Sequence, residues 1–148
     1  GTFAAAEAWA WHADLIAAKA AGYDPQVLKR IMPGRDMAAG AYVALLAARA
    51  DICARASAAT QDYDAVVMPT CPLLPPPIAT LEADSDAYTK VNLLQLRNCA
   101  FGNFLDRCAI SLPCTPKGAA PVGLMLMGET MGDAKLFRVA AAVESALA

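Results

Sequence analysis

The chain has 148 residues, 57% of them apolar and 18% charged, with a formal net charge of −2. Lys and Arg are scattered rather than clustered, which argues against a nucleic-acid surface. Glu7, His12, Asp14 and Lys19 interrupt the first apolar stretch, and the Met37–Ala50 run is too short to cross a bilayer, so a membrane role has no support either. The apolar share exceeds the about 45–50% of ordinary chains, and part of that excess predicts surface meant to be covered by something else.

Phe3–Ala21 is alanine-rich with Trp9 and Ile16 on one face, which predicts a helix stopped at Gly22. Asp24-Pro25 is a cap followed by a proline at the first helical position, opening a short helix that Pro33-Gly34 ends. From Asp36, residues at three- and four-residue steps (Tyr42, Leu45, Leu46, Arg49, Ile52, Cys53) set a stripe that predicts a long helix to about Thr60. Ala65–Met68 is a continuous apolar run between Asp64 and Pro69, the pattern of a strand covered on both faces in a parallel or mixed sheet. Pro72, Pro75, Pro76 and Pro77 force an extended excursion, and Leu81–Ala87 carries no clear signal. Over Tyr88–Phe104 the apolar spacing is mixed, and Asn98, Gly102 and Asn103 predict a break into short turns. Ala109–Cys114 and Val122–Met127 are two further strands joined by a hairpin-like connection at Lys117-Gly118, and Gly132-Asp133 opens a closing helix to about Leu147. The expected class is α/β: a short mixed β-sheet flanked by helices, in one unit over residues 1–148. Three buried-type strands make a narrow sheet with open edges, which points to a larger sheet.

No complete catalytic set accompanies these elements. Ser57 and Ser145 fall on helices, Ser85 in a polar segment and Ser111 within a strand, none beside a base or a glycine elbow. His12 is the sole histidine, so pairing it with a cysteine has nothing to direct it. Asp62 and Asp64 are explained by a turn. Cys53, Cys71, Cys99, Cys108 and Cys114 form no CxxC pair, which predicts reduced thiols in a cytoplasmic protein and no metal site. No phosphate loop and no other cofactor motif occurs, and the first residues do not read as a signal peptide. Asn98 and Asn103 stand among apolar residues, so each must be hydrogen-bonded if buried, either to cap a turn or to line a pocket.

Several segments follow one another in a fixed order: Asp64-Ala-Val-Val-Met-Pro-Thr-Cys-Pro, Arg97-Asn98 through Gly102-Asn103-Phe104-Leu105-Asp106, Ala109-Ile-Ser-Leu-Pro-Cys, Pro121-Val-Gly-Leu-Met-Leu-Met-Gly, and a helix after Gly132-Asp133-Ala134. In that order they resemble the C-terminal part of an amidase-signature hydrolase, from about Phe3 to Leu147. The resemblance implies a mixed sheet wrapped by helices and hydrolysis of amide carbon–nitrogen bonds by a serine, a second serine in a cis peptide and a lysine. In the family those residues sit on a glycine- and serine-rich stretch of the N-terminal half, which has no counterpart in this sequence, so no catalytic residue is assigned. What carries over is substrate-pocket wall: Asn98, Cys99, Phe101 and Asn103, with Cys99 standing where threonine is common, and Pro69-Thr70 at a nearby strand end. The implied partners are the missing N-terminal half of the same enzyme and a small amide. The other reading is a non-catalytic module that self-associates through its exposed sheet edge.

Overall fold

The computed structural model describes residues 2–147, which form two compact units, one up to Asp51 and one from Ile52 onward. In the first unit, helix α1 (Phe3–Lys19) starts where the Thr2 hydroxyl accepts the Ala5 N–H at 3.2 Å. A 3-10 turn over Ala20–Gly22 leads to α2 (Pro25–Ile31), whose Asp24 cap accepts the N–H groups of Gln26 and Val27. A second 3-10 turn, Met32–Gly34, brings Gly34 onto the α1 backbone so closely that any Cβ there would overlap the Ala5 carbonyl. Only glycine allows that approach. Tyr42 closes the unit by donating its hydroxyl to Glu7 Oε1 at 3.0 Å and meeting the Phe3 ring edge-on at 5.8 Å. It lies on α3 (Ala39–Thr60), which continues into the second unit.

The second unit is built on three strands: β1 (Val66–Pro69), β2 (Ala109–Pro113) and β3 (Gly123–Met127). Their order is β1-β3-β2, and both pairings are antiparallel. β2 and β3 form the expected hairpin, with Gly118 at φ +92° in the connection. Helices α4 (Ile78–Ala83) and α5 (Ser85–Phe104) lie between β1 and β2 in sequence, and α6 (Asp133–Leu147) closes the chain. Leu112 and Leu126 of the sheet pack with Leu136 and Ala140 of α6 as the buried core. Met125 and Met127 point to the opposite face and are each 3% exposed. Helix α5 comes up on that side: a Cβ on Gly102 would stand 3.6 Å from Met127 Sδ. The central strand is thus covered on both faces, and the unit is an α/β layer structure. The edge strand β1 is not: Val67, paired with Leu126, is 56% exposed.

The expected break within Tyr88–Phe104 does not occur. Residues 85–104 form one continuous helix, capped by the Asp84 carboxylate on the N–H groups of Asp86 and Ala87. Asn98 stays helical because its hydrogen bond to the Pro69 carbonyl outweighs its weak helix propensity, and Gly102 is buried within the same helix. α4 starts directly after the proline-rich excursion and only its second half, from Leu81, falls in the segment without a clear signal. Among the described residues no single helix is long and apolar enough to cross a membrane.

Candidate functional site

The second unit carries an open cavity of about 400 Å³, within the range of small-molecule sites. Its walls are the proline-rich segment following β1, the start of β3 with Pro121 and Val122 before it, Gln95 of α5 and Ser111 of β2. No charged side chain lines it. The polar groups come from three different elements.

Thr70 follows the last residue of β1, and its N–H donates to the Gly123 carbonyl at 2.7 Å, extending the ladder by one bond. Ser111 stands on the far edge strand, opposite Met125. Their hydroxyls meet across the middle strand, with Thr70 Oγ1 and Ser111 Oγ 2.5 Å apart. The meeting requires Gly123, since a Cβ there would fall within hard contact of both oxygens. Two hydroxyls hold two protons, and their mutual bond uses one. Neither hydroxyl has a further partner among the described residues, so one O–H remains available at the cavity wall. Gln95 adds a carboxamide whose Oε1 is sealed from solvent and unpaired. Such an atom needs a functional or structural reason.

Asn98 is 5% exposed. Its Nδ2 donates to the Pro69 carbonyl at 2.6 Å and its Oδ1 accepts from Arg97 Nε at 3.2 Å. The half-buried Cys99 thiol reaches the Thr70 carbonyl at 3.7 Å. Together they pin the backbone where β1 gives way to the cavity wall, without lining the cavity. Phe101 is 52% exposed and Asn103 is exposed, one turn further along α5, and neither lines it. Of the four residues singled out from the sequence, the structure therefore brings Asn98 and Cys99 to the cavity's support. Gln95 and Gly123 carry no signal in the sequence, and Ser111 is named there as a strand residue without a base, not as pocket wall. The one available signal was Ser111, a hydroxyl inside an otherwise apolar strand.

Other candidate groups are engaged elsewhere. Ser57 Oγ accepts from Arg107 Nη2 at 3.2 Å, and Ser145 Oγ donates to the Ala141 carbonyl at 2.9 Å. His12 Nδ1 and the Tyr23 hydroxyl are 2.8 Å apart in the first unit. All five cysteines are free thiols, with Cys114 exposed and the others half-buried.

Known proteins agree with this architecture. The chain is 32% identical over 138 residues to a component of the glutamyl-tRNA(Gln) amidotransferase of Salinispora arenicola, covering 90% of this chain and 27% of that protein. It is 29% identical over 146 residues to the 2-amino-5-chloromuconic acid deaminase of Comamonas testosteroni, covering 98% of this chain and 31% of that one. The chain thus spans between a quarter and a third of these relatives' length. Among solved structures, an amidase superposes with a TM-score of 0.79 at 23% identity, over 97% of this chain and 33% of its own. An allophanate hydrolase of Kluyveromyces lactis superposes with a TM-score of 0.78 at 24% identity, over 89% and 21%. These two show the shared fold. The amidase family model matches residues 6–137, from the second turn of α1 into α6, and the chain belongs to that family.

Proposed function

We propose that this chain serves as one segment, the C-terminal portion, of a single amidase-like domain that hydrolyses amide carbon–nitrogen bonds. It contributes sheet and substrate-pocket wall, while the nucleophile is carried by residues outside the present sequence. The match to the amidase family over residues 6–137 carries the reading. An amidotransferase and a deaminase among the similar proteins support chemistry at a carbon–nitrogen bond. The limited share of each relative that is covered supports a partner segment of the same enzyme. Asn98 and Cys99 act through the Pro69–Thr70 backbone, and Phe101 and Asn103 sit on the α5 surface facing the part of the pocket that the partner segment completes. The unpaired cysteines support a reducing compartment, the cytoplasm.

The test is release of ammonia or amine from a panel of small aliphatic and aryl amides. It compares this chain alone with the complete reading frame that contains it. Turnover by the complete protein and none by the chain alone is the expected result. Turnover by the chain alone, or a reading frame without an upstream Gly/Ser-rich segment and its lysine, would sink the proposal.

A further inference from the structure

We propose that Cys71 and Cys99 form a thiol–disulfide switch, in which a small disulfide entering the open cavity oxidises the pair and ties α5 to the cavity wall. The pair itself is independent of the amidase reading above, and only its effect on turnover rests on that reading.

Cys71 lines the cavity at the start of the proline-rich segment, just past the last ladder bond of β1, the Thr70 N–H on the Gly123 carbonyl. Cys99 is half-buried on α5 and donates its thiol to the Thr70 carbonyl, 3.7 Å away. That carbonyl belongs to the peptide unit that carries Cys71, so covalent geometry puts the Cys99 sulfur within about 6–7 Å of the Cys71 Cα. Gln95, one turn before Cys99 on the same helix face, lines the cavity as Cys71 does. A disulfide spans Cα atoms up to about 7 Å apart, and beyond the ladder a small shift of the wall closes it. The other thiols are turned elsewhere. Cys53 donates to the Phe104 carbonyl and Cys108 to the Glu129 carbonyl. Cys114 reaches the Val122 carbonyl from the β2 side of the sheet, two strand spacings, about 10 Å, from the β1 side and outside disulfide reach.

The two thiols differ in access, since Cys71 meets solvent through the cavity and Cys99 lines no part of it. Cys71, as its thiolate, attacks one sulfur of a small disulfide such as glutathione disulfide. The reagent's S–S bond breaks, and one small thiolate leaves. Cys99, as its thiolate, then attacks the Cys71 sulfur of the mixed disulfide. The protein S–S bond forms, and the second small thiolate leaves. The protein pair gives up two electrons and its two protons, and the reagent takes both as two small thiols. In the bridge, Cys99 no longer donates to the Thr70 carbonyl, and the wall at Cys71 is drawn onto α5. An exposed thiol backed by a resolving one is the arrangement of redox-sensing pairs, and in a reducing compartment such a bridge is transient.

The test treats the complete protein that contains this chain, purified reduced, with glutathione disulfide, and maps its cysteine peptides by mass. The Cys71–Cys99 bridge is expected at least about tenfold above any bridge that includes Cys114, whose sulfur is out of reach. The same treatment in urea removes that preference. Cys99→Ser and Cys99→Ala each leave glutathione trapped on Cys71, while Cys71→Ser leaves Cys99 unmodified. No Cys71–Cys99 bridge, a bridge to Cys114 of equal yield, or modification of Cys99 in Cys71→Ser would each overturn the pair. Amide turnover by the complete protein falls in proportion to the bridged fraction, returns with dithiothreitol, and is insensitive to glutathione disulfide in Cys71→Ser. Turnover unchanged by a fully formed bridge overturns the switch and leaves the amidase reading standing. A bridge in a complete protein that hydrolyses no amide rejects the amidase reading and leaves the pair.

Discussion

At the scale of single residues, the first unit contains a long-range side-chain bond, between Tyr42 and Glu7, whose strength can be read by titration. Tyr42 donates its phenol proton to Glu7 Oε1, and that hydrogen bond, followed by the loss of hydration and the nearby negative charge, raises the phenol above the ordinary tyrosine value. A raised folded-state pKa fixes the sign. The bond contributes in full while the phenol is protonated, below the ordinary tyrosine pKa, and is lost as pH rises through the raised value. Because the pair is solvent-exposed, its worth is small. The measurable outcome is spectroscopic. The ultraviolet difference spectrum between the chain and Tyr42→Phe should titrate at higher pH than a free tyrosine, and Glu7→Gln should bring it back down. A midpoint unmoved by Glu7→Gln would mean that the two side chains do not meet in solution.

At the scale of elements, helix α5 shows why part of this fold was legible in the sequence and part was not. Strands β1, β2 and β3 announced themselves as short apolar runs bounded by Asp64, Pro69, Pro113 and Gly128, and α2 by Asp24-Pro25, because those signals are local. The continuity of α5 depends on a partner far along the chain, the Pro69 carbonyl that Asn98 reaches 29 residues earlier. The hydroxyl pair was hidden for the same reason, since Thr70 and Ser111 meet only through the register of both strands with β3. The end of α5 is local again and leads to a prediction. Asp106 takes φ +58° just past the helix, while the Arg107 N–H reaches the Gly102 carbonyl at 3.0 Å and the Asp106 N–H the Asn103 carbonyl at 3.4 Å. This double bond pattern is the one in which glycine is preferred at the left-handed position. Asp106→Gly should therefore stabilise the protein by about 0.5–1 kcal/mol, seen as a rise of a few degrees in thermal midpoint. A fall would show that the Asp106 carboxylate makes a contribution larger than the strain it relieves.

At the scale of the whole molecule, the second unit buries its central strand well and its edges poorly. Met125, Leu126 and Met127 are 3%, 1% and 3% exposed, whereas Val67 on β1 is 56% exposed and Leu93 and Phe101 on α5 are 60% and 52%. β1 pairs on one side only among the described residues, so it offers the exposed Val67 side chain and that residue's outward backbone groups, the Pro69 carbonyl being taken by Asn98. Such an edge is blunted in nature by charge, by proline or by a covering segment, and Pro69 blunts only its end. Two occupants compete for it. A further stretch of amidase chain would extend the sheet, and a second copy of this chain would pair edge to edge. The two give opposite responses to one substitution. Val67 lies beside Leu126 on the α6 side of the sheet but is 56% exposed, so Val67→Lys places a charge at an exposed edge position and the isolated chain should stay folded. If copies pair, light scattering should show the mass of the isolated chain fall toward that of a monomer on substitution. If the edge is reserved for more of the enzyme, the isolated chain is already monomeric and binds a dye for apolar surface, Val67→Lys lowers that dye signal, and the complete enzyme carrying it loses thermal stability by about 1–3 kcal/mol, the cost of burying an unpaired polar group. The family membership favours the second outcome. An isolated chain that neither pairs nor binds the dye, in a complete enzyme indifferent to Val67→Lys, would show that the edge is covered by neither.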